Sequence, residues 1–348
     1  MADLPTYNDI DQKRSYFSNG QNENFVIDTK AALDQWFNDA LDEQSINDAT
    51  DSIYRGVTEA KHKLLTSLQR HWITNEMSQW ANINYIEFIS DLVDKANENT
   101  LINEVFNLYN YTRRDREFPI LSLLQHYGAP TPFMDWTYNL NVAFYFAIDG
   151  LKRKEESKLP IDNYFSVYRI NKRKYKGELL NIIDFIPNKL YPDINSFKDF
   201  GDNNRNPKSN SIFYISDFER KGDSIVYKRP LKQLMIRTRK PFTSIYNQNI
   251  IPQEGLFIFN PFSQKTLEDI FNPNLSDDGW NLALRPFDCF NIHKDLAEYL
   301  IRKIDVRFKI NKGFIYPNLN DEAKKIKEST LNGLISVISV SKTTYYFH

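Results

Sequence analysis

The chain has 348 residues, room for one large domain or two ordinary ones at about 150 residues each. Hydrophobic residues make up 41% and charged residues 26%, a globular mix that excludes a mostly disordered chain. With 44 basic and 45 acidic side chains the net charge is −1, so no overall field draws the chain to nucleic acid or to an anionic membrane.

Cys289 is the single cysteine, which excludes an internal disulfide and a cysteine-based zinc site and points to a reducing compartment. Five histidines are present, none at metal-ligand spacing, so no metal is expected. The start, MADLPTYNDIDQKRSYF, lacks the basic and apolar regions of a signal peptide. The longest apolar run, Val142 to Ile148, falls far short of the roughly 20 residues that cross a bilayer. The expectation is a cytoplasmic protein with no membrane partner.

Residues 1 to about 27 are rich in Asn, Asp, Gln and Ser and read as a loose lead-in. From Asp28 or Thr29 as cap, Ala32, Leu33, Trp36, Phe37 and Leu41 mark one helix face. Ser52 to Gly56 reads as a short strand. Helices are expected from about Lys61 to Met77 and over Asn84 to Tyr111, and another opens near Pro119 and ends at Gly128. Thr131 to Trp136 reads as a strand, and Thr137 or Asn139 caps a helix that ends at Gly150.

Lys152 to Lys158 is a charge run, read as a solvated turn. The period then changes toward two. Strands are expected at Tyr164 to Ile170, Ser211 to Ser216, Ser224 to Tyr227, Leu234 to Thr238, Phe242 to Tyr246 and Gly255 to Asn260. Gly201 to Asn210 reads as a loop. Helical spacing returns at His293 to Phe308 and Asp321 to Lys327. Helices first, strands later, then helices again argue an α+β fold: a helical N-terminal part on a mostly antiparallel, strand-rich core.

No nucleotide-binding loop or nucleophile elbow is present. Three polar stretches stand out in otherwise apolar text. In Tyr54-Arg55-Gly56, a buried Arg needs a partner, either an internal Asp or a carboxylate or phosphate ligand. In Gln125 to Thr137, donors and acceptors crowd around a strand, among them His126, Tyr127, Thr131, Asp135 and Trp136. They form either an internal polar network, with Asp135 paired to Arg55, or a pocket wall. In Pro252 to Phe257, Gln253 and Glu254 immediately precede an apolar strand. The basic cluster Arg169, Lys172, Arg173, Lys174 and Lys176 reads as a solvated loop or strand end, the alternative being a modest phosphate-contact patch for nucleic acid, and Thr112 to Arg116 reads alike. Cys289, in apolar surroundings, reads as a buried structural thiol.

These stretches together resemble the FRG-domain family of bacterial proteins, named for an aromatic-Arg-Gly triplet, here Tyr54-Arg55-Gly56. Ser67, Leu68 and Arg70 match its Ser-Leu-x-Arg element. Gln125, His126, Tyr127, Gly128, Pro130, Thr131, Asp135, Trp136, Thr137, Ala143, Phe146 and Ala147 match its long central block. Gln253, Gly255 and Phe257 match a later Gln-x-Gly-x-Phe element, and Phe314 to Leu319 loosely match its ending. Pro132 stands where the family usually has Arg, and Leu140-Asn141 replaces a usual Pro. The resemblance implies a domain over residues 50–328, flanked by a helical lead-in, 1–49, and a strand-like extension, 329–348.

The order of parts also resembles that of ADP-ribosyltransferases. That resemblance implies an NAD-using transferase or NAD glycohydrolase, a toxin or phage-defence effector, with a protein or nucleic-acid acceptor and a regulatory partner protein. Arg55, His126, Tyr127, Thr131, Asp135 and Trp136 would hold NAD, and Glu254 or Gln253 would act at the ribose. The alternative is a non-catalytic module that binds a nucleotide or another protein.

Overall fold

A computed structural model describes residues 2–46, 52–79, 84–109, 111–113, 116–151, 159–171, 183–185, 211–215, 218–221, 224–227, 248–250, 252–271, 287–318, 324 and 326–329. Lys152 to Lys158, Gly201 to Asn210, Leu234 to Thr238, Phe242 to Tyr246, the basic residues after Asn171, most of Asp321 to Lys327 and nearly all of 329–348 lie outside them.

The element order is α1 (Ile10–Arg14), β1 (Val26–Ile27), α2 (Lys30–Ile46), β2 (Ser52–Val57), α3 (Ser67–Thr74), α4 (Tyr85–Glu98), α5 (Thr100–Leu108), α6 (Glu117–His126), β3 (Phe133–Thr137) and α7 (Leu140–Ile148). Then come β4 (Tyr164–Asn171), β5 (Ile183–Phe185), β6 (Ser211–Ile215), β7 (Phe218–Lys221), β8 (Ser224–Tyr227), β9 (Gly255–Phe259), α8 (Leu267–Phe271), β10 (Phe287–His293), α9 (Ala297–Phe308) and α10 (Lys312–Ile315).

Eight strands form one mixed sheet in the order β1-β10-β4-β2-β3-β9-β6-β5, and β7 pairs with β8 apart from it. The β1–β10 and β6–β9 pairs are parallel; the other five pairs of the large sheet are antiparallel. The expected α+β class and mostly antiparallel core are therefore present. Strand β10 is absent from the sequence reading because FDCFNIH carries no clean alternation: six of its seven residues are buried.

Both sheet faces are covered. On one, Ile53, Met134, Trp136, Tyr168, Leu256, Phe287 and Cys289 pack against Tyr7, Phe17 and Phe25 of the N-terminal segment and against α8. On the other, Tyr54, Val167 and Phe290 meet α2, α7 and α9, while Phe133, Phe257 and Phe259 meet the α3–α6 helices. The lead-in is thus not loose. Its Lys13 is fully buried and donates at 2.8 Å each to the Ala60 carbonyl, Ser166 Oγ and Asn291 Oδ1. Its few apolar residues hid this from a periodicity reading.

Two helix expectations are corrected. Residues 61–66 lie outside any helix, and α3 starts only at a capping box in which Thr66 and Gln69 satisfy each other's backbone amides. The stretch 84–111 is broken at Asn99, whose extended backbone ends α4 and whose side chain caps α5. Thr29, Gly128 (φ +81°), Asn139 and Gly150 (φ +74°) stand at helix ends as expected. Among the described residues no helix is long and apolar enough to cross a membrane.

Candidate functional site

The three residues of the Tyr54-Arg55-Gly56 triplet do three different things. Tyr54 is buried against α7. Gly56 lies directly beneath that helix: a Cβ there would come within 1.9 Å of the Ala143 carbonyl oxygen and 2.5 Å of the Ala147 amide. Arg55, between them, alternates to the other side of the strand. The registers of β2 and β3 coincide only at Tyr54 and Thr137. Beyond that point the Arg55 guanidinium donates to the Asp135 backbone carbonyl, spanning the opening where a ladder bond would otherwise lie. Its Nε is buried and has no hydrogen-bond partner.

Arg55 forms part of the wall of a cavity of about 260 Å³. Val57 and Glu59 follow it, Lys63 and Leu64 come from the non-helical stretch before α3, and Arg70 comes from α3 itself. Leu4 and Pro5 close one side. They are held there by the Tyr7 amide, which donates to the Lys61 carbonyl at 2.8 Å, and by the bridge between Thr6 and His62.

The charges sort into two kinds. Lys63 lies 3.5 Å from Asp269, and Glu59 lies 3.1 Å from Lys294, so both are paired. Neither Arg55 nor Arg70 forms an ion pair with any described residue; Arg70 donates to the Leu65 carbonyl at 2.7 Å. Burial, with repulsion from Arg70, pushes the Arg55 guanidinium down to about 10, although Asp135 opposes this. Arg70 is also held below its ordinary value by loss of water, and Asp135 again opposes it. Two neighbouring guanidiniums without a carboxylate contact are an anion-binding arrangement.

The Gln125–Thr137 block builds the adjoining network. The Thr131 hydroxyl donates to Gln125 Oε1, and the Thr131 amide donates to Ser67 Oγ at 2.9 Å. Gln125 Nε2 then donates to Asp135 Oδ2 at 3.0 Å. Asp135 is exposed although its neighbours Met134 and Trp136 are buried. The Asp135 carboxylate therefore serves Gln125 and does not pair with Arg55, which takes the carbonyl of the same residue.

The expected site residues fall into three groups. Arg55 alone of them lines the cavity; it donates to the Asp135 carbonyl, while Asp135 and Thr131 are joined through Gln125 outside the lining. His126 and Tyr127 close α6, their rings edge to face at 5.0 Å, and Tyr127 is 76% exposed; neither lines the cavity. Trp136 is in the core on the face carrying Met134 and Tyr168. Gln253 and Glu254 sit at the far end of β3 and outside the cavity. The Gln253 carbonyl accepts from the Thr137 hydroxyl at 2.6 Å, and its side chain donates to the Ile315 carbonyl at 2.9 Å. Glu254, with φ +45°, accepts from Asn139 at 3.1 Å beside the α7 cap. Arg70, Ser67 and Gln125 were not among the expected site residues, although the Ser-Leu-x-Arg element and the central block contain them. Among the described residues no acidic, His or Cys cluster could hold a metal.

Fold and site together define an α+β protein with a paired-arginine cavity at a break in its central sheet. Residues 50–156 match the family model described as the FRG domain, so the chain carries an FRG domain over that stretch. Tyr54-Arg55-Gly56, Arg70 and the whole Gln125–Thr137 block lie within the match. No curated protein and no solved structure matches the chain. The likeness to ADP-ribosyltransferases thus stands on the order of parts alone.

Proposed function

We propose that this FRG-domain protein binds a phosphorylated small molecule of nucleotide size, its phosphate seated on Arg55 and Arg70. The observation that carries this reading is the pair of adjacent guanidiniums without ion pairs among the described residues, one of them with a buried, unpartnered Nε, on the wall of one cavity. A phosphate offers the oxygens such a pair lacks. About 260 Å³ lies just under the usual range for a drug-sized ligand, and suits a nucleoside phosphate or one half of a dinucleotide. Titration calorimetry with AMP, NAD, pyrophosphate and phosphate tests it. Binding that Arg55→Gln and Arg70→Gln each weaken is expected; no heat with any of them refutes it.

A second reading, cleavage of NAD by a toxin or defence effector with transfer to an acceptor or to water, has one observation in its favour. The Gln253–Glu254 turn is bonded to the end of β3, beside the strand that carries Arg55. It requires Glu254 to leave Asn139, or Gln253 to leave Ile315. Release of nicotinamide that is lost in Glu254→Gln or in Gln253→Ala supports it; no release, alone or with cell extract as acceptor, removes it.

A further inference from the structure

Glu59 lines the same cavity as Arg55 and Arg70, just past the end of β2. Its Oε1 lies 3.1 Å from Nζ of Lys294, a buried lysine that directly follows β10. Its Oε2 is buried and has no hydrogen-bond partner among the described residues. The residues of this wall thus carry a buried donor without an acceptor, Arg55 Nε, and a buried acceptor without a donor, Glu59 Oε2. Glu59 follows Arg55 by four positions. Their Cα atoms are therefore at most about 13 Å apart, a span that a ligand of nucleotide size covers.

An acceptor left unmet in the interior is costly, so a ligand that suits this cavity brings a donor to Glu59 as well as oxygens to the arginines. That donor is neutral. Lys294 already balances the Glu59 charge, and a further cation would stand unpaired in a cavity walled by Arg55, Lys63 and Arg70. A sugar hydroxyl meets the requirement. The remaining wall, with Leu4, Pro5, Val57, Leu64 and Leu65, is apolar and offers a surface for a ring.

Resting on the anion-binding reading above, we propose that Glu59 accepts a hydrogen bond from a ribose hydroxyl of a nucleoside phosphate whose phosphate is held by Arg55 and Arg70. Glu59 is the residue that selects a ligand bearing that hydroxyl over its deoxy analogue. An analogue without the hydroxyl leaves the carboxylate oxygen buried and unmet, which gives the discrimination its size. Lys294 is a positioning residue: it holds Oε1 and leaves Oε2 to the ligand.

The test is calorimetric titration of the full chain with AMP, with 2′,3′-dideoxyadenosine monophosphate and with inorganic phosphate, on the wild type, Arg55→Gln and the double variant Glu59→Leu, Lys294→Met. The double change removes the ion pair whole, so no buried charge is left alone. The wild type should prefer AMP to the dideoxy compound by about tenfold or more, since a hydrogen bond to a charged group is worth at least that. The double variant should lose the preference and still bind phosphate as the wild type does, because the local net charge is unchanged. If phosphate binds through Arg55 but AMP and the dideoxy compound bind alike, the role of Glu59 is refuted and the anion site stands. The same holds if the double variant keeps the preference, or loses phosphate binding along with it. If no compound binds, or Arg55→Gln changes nothing, the anion site and this inference fall together. Should the double variant not fold, Glu59→Gln, which keeps an oxygen for Lys294, replaces it: the preference should shrink severalfold, and an unchanged one refutes the role.

Discussion

Arg55→Met separates a ligand-binding arginine from a structural one. The guanidinium, pushed from its ordinary value down to about 10, is disfavoured in the folded chain by about 3 kcal/mol at neutral pH, at roughly 1.4 kcal/mol per unit. Its one hydrogen bond among the described residues, to the Asp135 carbonyl, returns about 1.5–3 kcal/mol. Methionine keeps most of the apolar stem and removes the charge, and water can reach the carbonyl of exposed Asp135. The two terms nearly cancel. Urea unfolding of the ligand-free protein should show Arg55→Met unchanged or more stable by about 1 kcal/mol, at the same m-value. Saturating ligand should stabilise the wild type, by about 2.7 kcal/mol at a hundred times Kd, and leave the variant unmoved. A loss of 3–5 kcal/mol without ligand, the usual result of breaking a buried pair, would show that Arg55 is a structural arginine and refute the reasoning.

Lys13→Met should behave in the opposite way, costing about 2–4 kcal/mol, because three acceptors lose their donor; a neutral result in the same urea assay contradicts that bonding. Gly56→Ala should cost about 3 kcal/mol or more, since the new methyl meets the α7 backbone at 1.9 Å; a melting temperature within two or so degrees of wild type rejects that close approach. Burial pushes the Glu268 carboxyl upward, so the folded chain keeps a proton that the unfolded chain releases. The stability this group lends is full below its unfolded value and falls as pH rises through the folded one. Glu268→Gln, which keeps an acceptor for the Leu64 amide, should remove that decline in urea titrations from pH 4.5 upward; an unchanged slope argues against it. Burial also pushes the Cys289 thiol up to about 11, so an alkylating reagent at pH 8 should label it only after unfolding.

Much of the fold was legible where a local rule acts alone. Gly128 and Gly150 were placed by their need for positive φ, and Asn139 by its capping oxygen. The strand over 52–57 was found, one residue longer than read. What escaped was set by distant partners. Leu64 and Leu65 sit at helical spacing but lie outside the helix, because the Leu64 amide is satisfied by Glu268, 204 residues away. The lead-in looked loose because its anchor is a lysine, and only β4, β10 and the Ala60 carbonyl make burying it tolerable.

The site was legible in the same uneven way. The triplet and the central block drew attention to Arg55, Thr131 and Asp135, which hydrogen bonds link through Gln125, though Arg55 alone of them lines the cavity. Residue type alone could not separate Trp136, a core side chain, from a ligand-stacking one. Nor could it tell that Gln253 and Glu254 hold a turn and a helix start. Arg70 matched the Ser-Leu-x-Arg element but was not read as a site residue, because an exposed helical arginine looks like any other surface charge until β2 sets Arg55 beside it.

The central claim is that Arg55 and Arg70 form one anion site. Phosphate and AMP titrated into the wild type, Arg55→Gln, Arg70→Gln and the double variant, each confirmed folded by its urea transition, test it most directly. Sharing one ligand predicts that each single variant loses most of the binding, and that the double variant loses less than the sum of the two. Binding that survives in both single variants, or losses that simply add, would contradict it.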